Sequence, residues 1–119
     1  MTNERWLAHR SPPPPDVLEA RMRELLATSA HPAPAEEPER LLHAAELVLA
    51  RLLREGCATR QSALDLLAAD AMATYAFEAA ADEPDRIVER TDTAMARIAA
   101  LADTSPSPER PSDARDACR

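Results

Sequence analysis

The sequence is poor in several residue types that particular classes of protein require. It contains a single glycine, Gly56, and only three aromatic residues among its 119 positions. Glycine-rich phosphate loops and hairpin-dense β folds depend on glycine, because it adopts left-handed backbone conformations without strain. The composition therefore argues against both, and against sites where a backbone closely approaches a ligand.

Lysine is absent as well, and all fourteen basic residues are arginines. With 21 acidic residues the formal net charge is −7. Nucleic acids and anionic membranes are bound through an excess of basic residues, so neither is an expected partner. The exclusive use of arginine is typical of a GC-rich bacterial genome, so we expect a bacterial protein.

No hydrophobic run approaches the length that crosses a bilayer, about 20 residues. The N-terminal residues contain no apolar stretch of the kind found in signal peptides, so we expect a cytoplasmic protein. The two cysteines, Cys57 and Cys118, are far apart in the sequence. Because the cytosol is reducing, we do not expect them to form a disulfide.

Eleven prolines are present, and many of them lie near the ends of the chain. Residues 1–15 finish in a run of four prolines, which favours polyproline II over a helix. Residues 104–119 combine serine, proline, aspartate and arginine with little to bury. We predict that both ends are disordered and that residues 16–103 form one helical bundle domain.

Within that domain the apolar residues recur with the period of an α-helix in four segments. The predicted helices span about 16–28, 38–55, 60–81 and 83–103. The connections after the second and third helices are short, which favours antiparallel neighbours. We therefore predict an all-α fold: a small up-down bundle with three core helices, the second to fourth, plus an N-terminal helix that the linker 29–37 leaves freer.

The predicted third helix is apolar on nearly every side, a pattern normally found in a central helix. A bundle of this size cannot surround one helix completely. Either the first helix covers its open side, in its own chain or in another, or a second protein does. We predict a homo-oligomer or a protein partner, with an interface at Leu66, Ala69, Ala73 and Phe77. Replacing Leu66 and Phe77 together by glutamate is expected to abolish association.

One candidate metal site lies on the predicted second helix, where Glu39, His43 and Glu46 recur at i, i+4 and i+7. Di-iron bundles use a Glu-x-x-His pair from each of two helices, together with further glutamates. Here the order is reversed and no other predicted helix carries a histidine. We interpret the three residues as exposed polar surface and predict no metal.

Acidic residues on the predicted third helix, Asp65, Asp70 and Glu78, are candidates for acid–base catalysis. Asp65 and Asp70 point about 140° apart on a helix of 3.6 residues per turn, so they cannot share a substrate. We expect solvated carboxylates, or partners for arginines of a neighbouring helix such as Arg90 and Arg97.

These patterns favour a small non-enzymatic protein that acts by helix-mediated association with itself or with a larger protein. No catalytic residue and no cofactor is predicted. The alternative is a helical bundle that binds an apolar ligand or a metal, either as a binding protein or as an enzyme. Its apolar pocket would be lined by Met72, Tyr75, Met95 and Ile98, although methionines at such spacing more often fill a core.

Overall fold

The computed structural model describes residues 7–9, 12–29, 36–56 and 58–104. Four α-helices follow one another: α1 (Asp16–Thr28), α2 (Glu37–Glu55), α3 (Arg60–Ala80) and α4 (Ile87–Thr104). A short 3-10 turn, Pro84–Arg86, precedes α4. No described residue lies in a strand. The predicted all-α fold is confirmed. The predictions for residues 1–6, for most of the 104–119 tail, and for Cys57 and Cys118 fall outside the described residues.

Local sequence signals fix the helix ends around the α2–α3 connection. Pro38 occupies the first turn of α2, where its missing N–H costs nothing. The helix stops at Gly56, whose φ of 62° is left-handed and favours glycine. The Thr59 hydroxyl then accepts a hydrogen bond from the Ser62 amide, and the Ser62 hydroxyl accepts one from the Thr59 amide. This capping box starts α3 and keeps the α2–α3 connection short.

The hydrophobic core lies between α1, α2 and α3. Many of its side chains are alanines, which allow helix axes to approach closely. It consists of Leu7, Met22, Leu25, Leu41, Leu42, Ala44, Ala45, Val48, Ala68, Ala69, Met72, Ala76, Ala79 and Ala94. Helix α1 thus folds against α3 of its own chain, and it covers part of the side of α3 that α2 and α4 leave open.

Burial is distributed among the helices differently from our expectation. We expected α2, α3 and α4 to form the core and α1 to be freer. Instead α1 contributes Met22 and Leu25, whereas Ala94 is the one buried residue of α4. The reason is electrostatic: α4 turns two arginines toward α2, and charged groups in this position cannot form a dry core. Helix α4 is therefore attached at the edge of a three-helix core.

Candidate interaction surface

Asp65 is the most deeply buried charged residue that the structure describes, with no exposed surface. Its Oδ1 accepts hydrogen bonds from Arg21 Nε at 2.6 Å and from Gln61 Nε2 at 3.2 Å. Its Oδ2 accepts from Arg21 Nη2 at 3.1 Å and from Arg51 Nη2 at 2.6 Å. The hydrogen bonds from Arg21, reinforced by Arg51, lower the pKa of Asp65 to about 2.

Asp65 thus pairs with arginines of neighbouring helices, which was one of our two expectations, but these arginines are Arg21 of α1 and Arg51 of α2 and not the arginines of α4 that we named. A carboxylate that is fully ionised and already accepts four hydrogen bonds is a poor proton carrier. Asp70 and Glu78 lie on the exposed side of α3, away from Asp65. The structure does not bring the three acids together, and Asp65 instead ties α1, α2 and α3 to one another.

Asp65 could have been recognised from the sequence by its helical register. It shares a face with Ala69, Met72 and Ala76 at intervals of four, seven and eleven residues, and those three side chains are buried. An acid in an apolar stripe must be paired, because an isolated charge is too costly to bury. What the sequence could not identify was the pair of arginines, which lie 44 and 14 positions away.

The candidate metal ligands of α2 take part in ion pairs with α4. Glu39 Oε1 lies 3.3 Å from Arg90 Nε, and Glu46 Oε2 accepts from Arg97 Nη2 at 2.7 Å. The Glu46 side chain is only 14% exposed, so our interpretation of this face as exposed surface was wrong for Glu46. His43 is half-buried. In the part of the chain that the structure describes, no group of three or more potential ligands could hold a metal ion.

Arg90 is one of two arginines that attach α4 to α2, and its side chain is only 10% exposed. Its Nη2 donates to Glu36 at 2.5 Å and to Glu83 at 3.1 Å. Yet Arg90 Nη1 and Glu46 Oε1 are buried without a hydrogen-bond partner among the described residues. A polar, incompletely satisfied contact holds a helix less firmly than an apolar one.

The four residues predicted to form an interface on α3 have different environments. Leu66 is 53% exposed and Phe77 is 41% exposed. Ala69 is buried in the core and offers no surface to a partner, whereas Ala73 packs against the core and is half-buried. The two exposed residues are three helical turns apart and line separate grooves.

The groove beside Phe77 has a volume of about 180 Å³ and lies between α2, α3 and α4. Its apolar floor includes Leu42, Ala76 and Ala80, and the α4 side carries charged residues. The groove beside Leu66 lies at the α2–α3 turn and has a volume of about 490 Å³. It is lined largely by leucines and alanines.

The predicted apolar pocket is not formed. Met72 is completely buried, and Tyr75 is partly buried against the core. Met95 is 64% exposed and Ile98 is 38% exposed. We therefore correct this prediction: Met72 fills the core, whereas Met95 and Ile98 lie on the surface of α4 and enclose no cavity with it.

The surface of α4 instead presents an unpartnered apolar stripe, which we call the outer face. Its members follow the i, i+3, i+7, i+10, i+14 spacing of a coiled-coil seam, and they are Val88, Thr91, Met95, Ile98 and Ala102. Val88 is 73% exposed. The sequence indicated an amphipathic helix here. It did not indicate that the Ala94 side of the helix would pack against the core and that this stripe would face solvent.

A row of carboxylates runs along one side of the outer face. Asp85 and Asp92 lie nearest the stripe, and Glu89 lies farther round, where it also borders the groove beside Phe77. Asp103 follows three turns after Asp92, beyond Ala96 and Ala99; all four acids are exposed. We call these four residues the acidic edge. The opposite side of the outer face carries Ala94, with Arg90 and Arg97 beyond it, and it is directed at the body of the protein.

Comparison with known proteins adds no functional information. No family model, curated protein or solved structure matches the chain. No helix in the described residues is long and apolar enough to span a membrane. The geometry of the outer face and the acidic edge is therefore the basis for a functional proposal.

Proposed function

We propose that this protein acts by helix-mediated association and that the outer face of α4 is its binding surface. The observation that carries the proposal is the exposure of Val88 and Met95, at 73% and 64%, on a helix whose apolar spacing matches a coiled-coil seam. Apolar side chains scattered singly on a surface are ordinary, whereas an ordered stripe is typical of an interaction site.

The outer face suits a partner better than the exposed residues of α3 do. Leu66 and Phe77 are separated by about 16 Å along the helix axis, and exposed Asp70 lies on the helix between them. Each of the two belongs to a different groove. On α4, by contrast, successive members of the stripe are three or four residues apart, so that they form one continuous surface.

Burial of this stripe supports an association of modest strength. When a partner covers the exposed part of Val88, Met95 or Ile98, each side chain contributes about 1–2 kcal/mol to the binding free energy. Part of that gain is offset by the entropy lost on binding. The stripe alone therefore supports a modest affinity, to which contacts along its edge add.

We also propose which class of molecule binds the outer face and where in the cell it does so. A net charge of −7 without any lysine favours a protein partner over a nucleic acid. We propose a cytoplasmic site of action and a non-enzymatic role, in which the described carboxylates serve ion pairs and the surface.

Replacing Val88 and Met95 together by glutamate is expected to abolish assembly, since two carboxylates would have to be buried in the seam. The thermal melting point is expected to stay within a few degrees of the wild-type value, because both side chains are mostly exposed. Native mass spectrometry of protein purified from the cells that make it would measure the assembled mass.

Two variants serve as comparisons. Leu53→Glu/Leu67→Glu introduces the same charge at exposed positions outside the outer face and is expected to leave the assembly intact. Leu66→Glu/Phe77→Glu tests the α3 surface. Loss of assembly in that variant alone, or a wild-type protein that is only the 13.0 kDa monomer, would contradict the proposal.

A further inference from the structure

We infer that the partner of the outer face is an amphipathic helix with lysine or arginine beside its apolar stripe, and not a second copy of this chain. The inference rests on the proposed function and specifies the partner's chemistry. The observation behind the inference is the position of the charged residues beside the outer face.

The basic and the acidic residues of α4 lie on different sides of the helix. Arg90 and Arg97 point toward α2 and are occupied by Glu36, Glu39 and Glu46. The acidic residues of α4 are on the exposed side, and none of them forms an ion pair with another described residue. The charged side chains nearest the open side of the stripe, Asp85 and Asp92, are therefore acidic, whereas Arg97, whose side chain is 35% exposed, lies on the far side of the helix.

Only one edge of the outer face is open. Ala94 is buried against the body of the protein, so a partner helix lying on Val88, Met95 and Ile98 must extend toward the acidic edge. Asp92 lies four residues after Val88 and three before Met95, which places its carboxylate directly beside the stripe. In helix pairs, charges at such flanking positions decide which partner is accepted.

Self-association places like charges together. In an antiparallel dimer, whose two-fold axis is perpendicular to α4, the acidic edge of one copy would meet the acidic edge of the other. Like charges at such distances are unfavourable, and the arginines of α4 already pair with Glu36, Glu39 and Glu46 on the other side of the helix. In a parallel dimer the acidic edge would meet the Ala94 side of the other copy, which is buried against the body of that copy. A helix with a basic flank would instead form ion pairs along the same edge.

The test is a selection from a displayed library of helical peptides of about 20 residues, long enough to cover α4. Leucines are fixed at seam positions, and the flanking positions are randomised equally among lysine, glutamate and glutamine. The full-length wild-type protein and the Val88→Glu/Met95→Glu variant are used as targets. Peptides enriched on the wild type alone are expected to carry a clear excess of lysine.

Two further measurements complete the test. Affinity of the selected peptides is expected to fall at least about tenfold when the salt concentration rises from about 0.05 M to about 0.5 M. In the matched variant Asp85→Arg/Asp92→Arg, which changes the exposed carboxylates three residues before and four residues after Val88, enrichment is expected to shift from lysine to glutamate.

The possible results separate the inference from the function on which it rests. Enrichment of neutral or acidic peptides on the wild type would overturn the inference and leave helix-mediated association standing. A homodimer that is lost on Val88→Glu/Met95→Glu would do the same. The absence of any peptide that distinguishes the wild type from that variant would overturn both.

Discussion

Asp65→Asn is expected to lower the free energy of unfolding by about 2–3 kcal/mol. Breaking a buried ion pair by neutralising one partner costs more than the pair contributes, because the other charges stay without compensation. Here the amide would present its N–H groups to arginine donors. Arg21 and Arg51 keep 24% and 35% of their side-chain exposure, so water relieves part of the loss.

Urea denaturation followed by circular dichroism measures this change. Asp70→Asn is the matched control, since Asp70 lies on the same helix but is exposed, and its effect is expected to stay below about 0.5 kcal/mol. Equal effects for the two variants would mean that Asp65 does not join α1, α2 and α3 as described.

The contribution of Asp65 also depends on pH. Its pKa is lowered from 3.8 to about 2, so the folded state favours the ionised form. The resulting stabilisation, about 2 kcal/mol, is fully present above pH about 4 and is lost as the pH falls through 2. The stability difference between wild type and Asp65→Asn is therefore expected to shrink over that range. A difference independent of pH would contradict the ionised, arginine-paired state.

Met72→Ala is expected to destabilise the protein by about 3 kcal/mol. Replacing a large buried side chain by alanine usually costs about 2–5 kcal/mol. Met72 has no exposed surface and belongs to the cluster shared by α1, α2 and α3. Met95→Ala is the matched control, because the same atoms are removed from a side chain that is 64% exposed.

Met95→Ala is expected to change stability by less than about 0.5 kcal/mol. The comparison distinguishes two arrangements of the bundle. If α4 were part of the core, as the sequence suggested, both substitutions would be costly. Similar losses for the two methionines in urea denaturation would therefore refute the peripheral position of α4.

The sequence predicted the elements of this fold well, because local signals determine them. Apolar periodicity defined four helices, and Gly56 and Thr59 marked the end of α2 and the start of α3. The distribution of burial was not predictable in the same way. An amphipathic pattern such as that of α4 shows that one face is apolar, but it does not show whether the same chain or a partner covers it.

Long-range ion pairs explain the remaining differences. Arg97 reaches Glu46, which is 51 positions away, and in doing so it turns the Ala94 side of α4 toward α2. Helical periodicity contains no information about such pairs. The same limit applies to the candidate site, since the sequence placed Met95 and Ile98 in a pocket and the structure places them on the surface.

Site-specific photo-crosslinking tests the central claim, that the outer face of α4 is the binding surface, most directly. A photoreactive benzoylphenylalanine is placed at Met95 in one protein and at Leu67 in another, because both positions are well exposed but lie on different helices. Irradiation of the cells that make the protein is expected to give a discrete adduct from position 95 and none from position 67. No adduct from position 95, or the same adduct from both positions, would contradict it.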